Sequence, residues 1–268
     1  DADADTLTIE PAEHSEVTIH WAGGLDGPIP VPPDIVQRTV AAARLKCSER
    51  PSITVEKRIP VGAGLGGASA DAAAALVGLT RLEGPECAGS LDVDTLARKL
   101  GADVPFCLKG GVALATGVGD RLSPLTTPAT LWWVIGISRD ALSTVKVYQH
   151  YDEMVPTGGR PSGNGQPAGS AAALANALSS GDVDAVAANL ANDLEISAFD
   201  LMPELRELKR AMSSAGALGA IMTGSGSAII GLCRDEAHAK QVAAAAAASF
   251  LRVEVASGTP SGAELIPG

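Results

Sequence analysis

The sequence predicts an α+β protein built as two lobes, and three observations carry that reading. The first third of the chain is rich in strand patterns that lead into a glycine loop and an alanine-rich helix. SPLTTP, residues 123–128, then breaks the pattern as a linker does. Beyond it, strands and helices follow in the order β-α-β-β-α-β once extra helices are set aside, the split βαβ arrangement. Residues 1–125 are therefore expected to form an N-terminal lobe and residues 126–268 a C-terminal one.

DTLTIEP and SEVTIHWAG read as strands, and ITVEKRIP alternates apolar and polar positions from Ile53 to Ile59. A helical run, IVQRTVAAARLK, lies between the last two. After the glycine loop, SADAAAALVGLT favours helix through its alanines, and VDTLARKLG is a helix stopped at Gly101. PFCLKGGVALATG has the shape of a hairpin. In the second half, LWWVIGIS is a buried strand holding Trp132 and Trp133. TVKVYQHYDE is a helix, and Pro156 to Ala168 is a loop crowded with Gly and Pro. Three further helices end near Ser214. AIMTGSGSAIIGLC is a strand pair, AHAKQVAAAAAASF a helix and LRVEVAS a final strand.

Composition narrows the function. A net charge of −11 with no Lys/Arg run argues against a nucleic-acid or anionic-membrane surface, because a polyanion is not attracted without a local basic patch. No run of about eighteen apolar residues exists, and DADADTLTIEP lacks the basic and apolar regions of a secretion signal. Cys47, Cys87, Cys107 and Cys233 are widely spaced and read as reduced thiols. His14, His20, His150 and His238 show no metal-ligand spacing. These features describe a cytoplasmic protein with a small-molecule partner.

PVGAGLGGASA, residues 60–70, contains G-x-G-x-x-G as Gly62, Gly64 and Gly67. A dinucleotide fold would need an acidic residue about 20 positions on at a strand end, but RLEGPECAGS reads as a loop there. A protein-kinase flap needs a strand on both sides, and a Walker loop needs Gly-Lys-Ser/Thr. What remains is a loop opening straight into a helix, with Ser69 and Asp71 at the cap or in the first turn. Gly62, Gly64, Gly66 and Gly67 let the backbone turn its N–H groups inward, and the helix N-terminus adds partial positive charge. The dipole alone supplies about 0.3–1 kcal/mol per charge, so several N–H bonds must carry any phosphate. Taken alone, the same loop also suits a plain turn with a capping serine.

Two more stretches accompany it: GADVPF from Gly101 to Phe106, and MTGSGSA from Met222 to Ala228. Together with PVGAGLGGASADAA they resemble the galactokinase, homoserine, mevalonate and phosphomevalonate (GHMP) kinase superfamily. LGADVPF, STVKVY and NDLE (Asn192 to Glu195) make the resemblance closest to the 4-diphosphocytidyl-2-C-methyl-D-erythritol kinases, which serve non-mevalonate isoprenoid synthesis.

The resemblance implies a two-lobe GHMP kinase fold. The N-terminal, ATP-binding lobe would be ribosomal-protein-S5-domain-2-like and the C-terminal lobe ferredoxin-like. It implies ATP and Mg²⁺ as cofactors, a cytidine-bearing alcohol as acceptor, and a monomer or weak homodimer. Pro60, Val61, Gly62, Ala63, Gly64, Leu65, Gly66, Gly67, Ala68, Ser69 and Ala70 would wrap the ATP phosphates, with Gly224, Ser225 and Gly226 closing from the second lobe. Asp103 would be the catalytic carboxylate, Thr144 and Tyr148 would touch substrate, and Ser69 would ligate Mg²⁺.

From residue patterns alone, Asp103 also suits a polar loop position after the Gly101 stop. Thr144 suits a helix N-cap, and Tyr148, one turn on along the same face, suits a core aromatic. Another GHMP kinase acting on homoserine, mevalonate or a sugar is the alternative, as is a non-catalytic nucleotide-binding relative. Family members begin with a segment resembling P-A-K-x-N-L-x-L and soon carry a D-G-Y-H-like stretch. Neither occurs here, so the expectation is that the first strands and a lysine of this lobe precede Asp1. Lys57, Arg58 and Lys109 are the nearest substitutes for that lysine.

Overall fold

The computed structural model describes residues 4–22, 33–45, 50–84, 91–155 and 171–266. The loop expected from Pro156 to Ala168 lies outside them, as do Cys47 and Cys87. The chain packs as two units, one of residues 1–61, 66–124 and 259–268, the other of residues 62–65 and 125–258.

In the first unit, β1 (Thr6–Ala12), β2 (Glu16–Trp21) and β3 (Arg50–Lys57) form a sheet in the order β1-β3-β2. β3 is antiparallel to β1 and parallel to β2. Its period-2 burial turns Ile53 and Val55 inward. There they meet Val36 of α1 (Ile35–Ala43) and Ala75 and Leu79 of α2 (Gly67–Glu83). Asp34 starts α1 with a capping box: it accepts from the Gln37 N–H at 2.9 Å while its own N–H donates to Gln37 Oε1 at 3.1 Å. The alanines of α2 let it lie close on the sheet; Gly78 passes Ile9 so tightly that a Cβ there would sit 2.4 Å from Ile9 Cδ1.

Asp92 caps α3 (Val93–Leu100), and the Gly101 N–H closes on the Ala97 carbonyl at 3.2 Å. PFCLK is not part of a hairpin: Val104–Lys109 is a helix, α4, with Pro105 in its first turn, where a missing N–H costs nothing. The hairpin follows as β4 (Val112–Thr116) and β5 (Arg121–Leu125), so β5 takes up the start of SPLTTP. Residues 259–266 return to this unit, where the Ala263 N–H donates to the Cys107 carbonyl at 2.9 Å.

The second unit is an antiparallel sheet in the order β7-β8-β6-β9, from β6 (Trp132–Ile137), β7 (Gly219–Met222), β8 (Ile229–Cys233) and β9 (Arg252–Ser257). Central β6 carries Trp132 and Trp133, both half-buried. Between β6 and β7 run α5 (Thr144–Met154), α6 (Ala171–Ser180), α7 (Val183–Ala188), α8 (Glu195–Leu201) and α9 (Glu204–Ser214), so among the described residues four helices follow α5 where three were expected. The short α7 and α8 are the ones a window tuned to longer amphipathic periods merges. α10 (Glu236–Ala246) joins β8 to β9. Leu205 and Met212 of α9 and Val242 of α10 share one core with Val134, Met222 and Ile229 of the sheet. This is the ferredoxin-like arrangement. Among the described residues no helix is long and apolar enough to cross a membrane.

Candidate active site

The glycine loop is divided between the units: Pro60 and Val61 belong to the first, Gly62 to Leu65 to the second, and Gly66 to Ala70 to the first again. Gly66 is the N-cap of α2, in the left-handed region (φ 71°), and no side chain caps the helix. Ser69 is therefore not the cap; it lies in the first turn, with Ala68 and Ala70 beside it. The α2 N–H groups are left to a ligand or to water. Gly67 approaches Ile59 closely: a Cβ there would sit 2.8 Å from Ile59 Cγ2.

Beneath this helix start lies a buried charge cluster that sequence reading did not single out. The Lys57 ammonium, at the end of β3, is ion-paired with Asp5 and, at 2.7 Å, with Asp71 Oδ2. Asp5 Oδ1 accepts from the N–H groups of Arg58 and Ile59, at 2.6 and 2.9 Å. Three side chains thus tie the entry of β1, the exit of β3 and the first turns of α2. Asp71 Oδ1 is buried with no hydrogen-bond partner among the described residues. Burial pushes the Asp71 carboxyl up to about 7; the Lys57 charge opposes that and the Asp5 carboxylate reinforces it. Of the three substitute lysines and arginines considered above, Lys57 is thus committed to two carboxylates, and Arg58 pairs with Glu56 at 2.5 Å.

Asp103 occupies the N-cap position of α4, but its side chain makes no cap hydrogen bond and is exposed. Its carbonyl accepts from the Cys107 N–H at 3.0 Å. The Cys107 thiol is pushed up to about 11, first by burial and then by the carboxylates of Asp103 and Asp71. One half-buried thiol therefore feels both acids. Such a thiol is not a nucleophile at neutral pH.

In the second unit, Gly62 to Leu65 pack against the turn after β7. Ala63 and Leu65 sit with Ile135, Ile137 and Ala228 in a small apolar cluster. The Ala63 carbonyl accepts from the Ala228 N–H at 3.0 Å, and the Gly64 carbonyl accepts from the Thr223 hydroxyl at 3.1 Å. Gly64 has φ +73°, and a Cβ there would lie 2.3 Å from the Thr223 carbonyl oxygen; only glycine fits.

Thr223 to Gly226 form a turn closed by the Gly226 N–H on the Thr223 carbonyl at 2.9 Å. Gly224 is exposed and Ser225 buried, with its hydroxyl 2.8 Å from that of Thr144. The hydroxyls of Ser138 and Ser227 lie 2.5 Å apart, and both reach the Asp140 carbonyl, at 2.6 and 2.7 Å. The structure thus brings Gly62, Ala63, Gly64 and Leu65 together with Gly224, Ser225, Gly226 and Thr144.

Ser143, not Thr144, caps α5: its hydroxyl accepts from the Lys146 N–H at 3.5 Å, leaving Thr144 as the first helical residue. Tyr148 is no core aromatic, being 52% exposed on the face that Thr144 begins. His150 pairs with Asp200 at 2.8 Å, and the described residues contain no group of three or more His, Cys, Asp or Glu side chains able to hold a metal.

Comparison with known proteins shows the family. The model of the GHMP kinases N terminal domain matches residues 34–111, and that of the GHMP kinases C terminal matches residues 171–252. A 4-diphosphocytidyl-2-C-methyl-D-erythritol kinase of Cutibacterium acnes is 43% identical over 241 residues, covering 88% of this chain and 74% of its own length. One of Rhodococcus jostii is 39% identical over 270 residues, covering 98% and 84%. A crystal structure of 4-(cytidine 5′-diphospho)-2C-methyl-D-erythritol kinase superposes with a TM-score of 0.72 at 34% identity, over 95% of this chain and 86% of that one. With both of its terminal models matched and these relatives spanned over most of their length, the chain belongs to the GHMP kinase family.

Proposed function

We propose that this kinase transfers the γ-phosphate of ATP to the 2-hydroxyl of 4-diphosphocytidyl-2-C-methyl-D-erythritol. The observation that carries the choice of acceptor is the 43% and 39% identity to relatives named for it. Asp103 supports it as well, because its carboxylate is exposed and, among the described residues, is not spent on capping α4. In the proposed step, Asp103 accepts the hydroxyl proton as the acceptor oxygen bonds to the γ-phosphorus and the bond to the ADP oxygen breaks. General bases of this kind contribute about 10²–10⁴ in rate.

The uncapped α2 N-terminus, with Gly66 free of neighbours within 4 Å of a Cβ position, suits phosphate oxygens. The Gly224-Ser225-Gly226 turn would close on the nucleotide. Mg²⁺ also suits the residues present: it demands few protein ligands when phosphates supply the rest, and Ser69 would hold it directly or through water. When bound, Mg²⁺ neutralises charge on the transferring phosphoryl group. Thr144 would bond the acceptor, and the exposed Tyr148 ring would stack on the cytosine.

ATP turnover by the full-length protein with this cytidine compound, homoserine and mevalonate tests the reading. The expected result is turnover with the first alone, and a loss of about 10²–10⁴ in kcat in Asp103→Asn with nucleotide binding retained. Turnover with homoserine or mevalonate and none with the cytidine compound overturns it.

A further inference from the structure

Strand β7 is one of the two edge strands of its sheet, and its last residue, Met222, opposes Ile229 of β8. An edge strand leaves alternate N–H and C=O groups without a strand partner. At Met222 two side chains take the place of that strand. Glu195 Oε1 accepts from the Met222 N–H at 2.9 Å, and Asn192 Nδ2 donates to the Met222 carbonyl at 2.7 Å. Asn192 Nδ2 also donates to the Gly224 carbonyl at 2.7 Å, two residues into the turn.

Both side chains are themselves held. Asn192 Oδ1 accepts from the Leu194 N–H at 3.0 Å, which orients the amide so that Nδ2 faces the turn. Glu195 Oε2 pairs with Lys209 of α9 at 2.6 Å, which leaves Oε1 to the strand. Glu195 opens α8, whose Ser197 hydroxyl donates to the Val147 carbonyl of α5 at 2.7 Å. The clamp therefore stands on packed helices, while what it grips is a turn held by the Gly226 N–H on the Thr223 carbonyl and the Thr223 N–H on the Ala228 carbonyl, with Gly224 exposed.

We infer that Asn192 and Glu195 are positioning residues for the nucleotide: they hold the backbone of Met222 to Gly224 so that the Gly224-Ser225-Gly226 turn is preset for ATP. Neither side chain touches the reacting atoms. The inference rests on the proposed role of that turn. It makes N-D-L-E a device for the second unit's own loop, with its two outer members, three residues apart, acting on one strand end.

Asn192→Asp is nearly isosteric but sets a carboxylate against two carbonyl oxygens; Asn192→Ala removes both donors. Glu195→Gln retains the acceptor for the Met222 N–H and loses only the Lys209 ion pair, whereas Glu195→Leu loses both. ATP affinity would be measured directly, without acceptor, by calorimetry on the full-length protein, together with KM for ATP, kcat and Tm. Losing such bonds, which leaves the backbone of buried Met222 unpaired, is expected to weaken ATP binding roughly tenfold in Asn192→Ala, more in Asn192→Asp, and similarly in Glu195→Leu. Glu195→Gln should stay within about twofold of wild type, and kcat at saturating ATP should fall by less than about threefold in all four.

A purely structural role lowers Tm with ATP affinity unchanged, and that result overturns the inference. So does Glu195→Gln weakening ATP as much as Glu195→Leu. Wild-type protein that binds ATP but does not phosphorylate the cytidine compound would reject the proposed acceptor and leave the clamp to be judged on the binding data. Wild-type protein that binds no ATP rejects both.

Discussion

The hydroxyls of Thr144 and Ser225 lie 2.8 Å apart, joining the first residue of α5 to the middle of the Gly224-Ser225-Gly226 turn. Thr144 stands in the proposed acceptor site and Ser225 in the proposed nucleotide site. One hydrogen bond therefore connects the two, and either hydroxyl can be the donor.

A double-mutant cycle of Thr144→Val and Ser225→Ala measures that bond. Its expected coupling in urea denaturation is about 0.5–1.5 kcal/mol. The same cycle on kcat/KM should be non-additive, because a turn released from α5 is already displaced when the second hydroxyl goes. Strict additivity in both measurements would mean that the two hydroxyls act independently.

Gly64 and Gly66 have nearly the same positive φ and opposite surroundings. A Cβ on Gly64 meets the Thr223 carbonyl oxygen at 2.3 Å and Gly226 backbone at 2.9 Å, while one on Gly66 meets nothing within 4 Å. Gly66→Ala therefore costs only left-handed backbone strain, roughly 1 kcal/mol. Gly64→Ala adds a backbone clash and is expected to cost more than about 3 kcal/mol, or to prevent the second unit from folding. Equal losses in guanidinium melts would refute the close packing of residues 62–65 on the turn.

Asp71 makes stability depend on pH with a definite sign. Its carboxyl is raised from 3.8 to about 7, so across that window the folded chain keeps a proton that the unfolded chain has released. Its contribution to stability is therefore greatest below the unfolded value and declines as pH rises towards the folded one. Asn cannot titrate, and in Asp71→Asn the Lys57 ammonium keeps Asp5. The Tm of the variant minus that of wild type should thus increase between pH about 5 and about 7.5. A difference that stays flat or decreases contradicts the proton held by Asp71.

Much of this was legible in local patterns. β3 shows its buried face through period 2 at Ile53 and Val55, α2 its helix through alanines, and α3 its end through Gly101. The glycine loop, GADVPF and MTGSGSA name their residues directly, because glycine and proline constrain the backbone wherever they occur. Local reading failed at PFCLK, where an apolar run before two glycines passes equally for strand or short helix. It failed again at Thr144, because Ser143 beside it is an equally good cap and only the backbone dihedrals choose between them.

By itself, then, the sequence determined the α+β class, the order of nearly all elements and the motifs that place this chain among the GHMP kinases. Each of these depends on periodicities or backbone preferences that act within a few residues. Tertiary structure alone decided that Lys57 would be shared by Asp5 and Asp71, that Gly64 would press on Thr223, and that Asn192 and Glu195 would complete an edge strand about 30 residues further on. The physical reason is that a buried charge or an unpaired backbone group is costly wherever it lies, but nothing in its local sequence says which distant side chain will satisfy it.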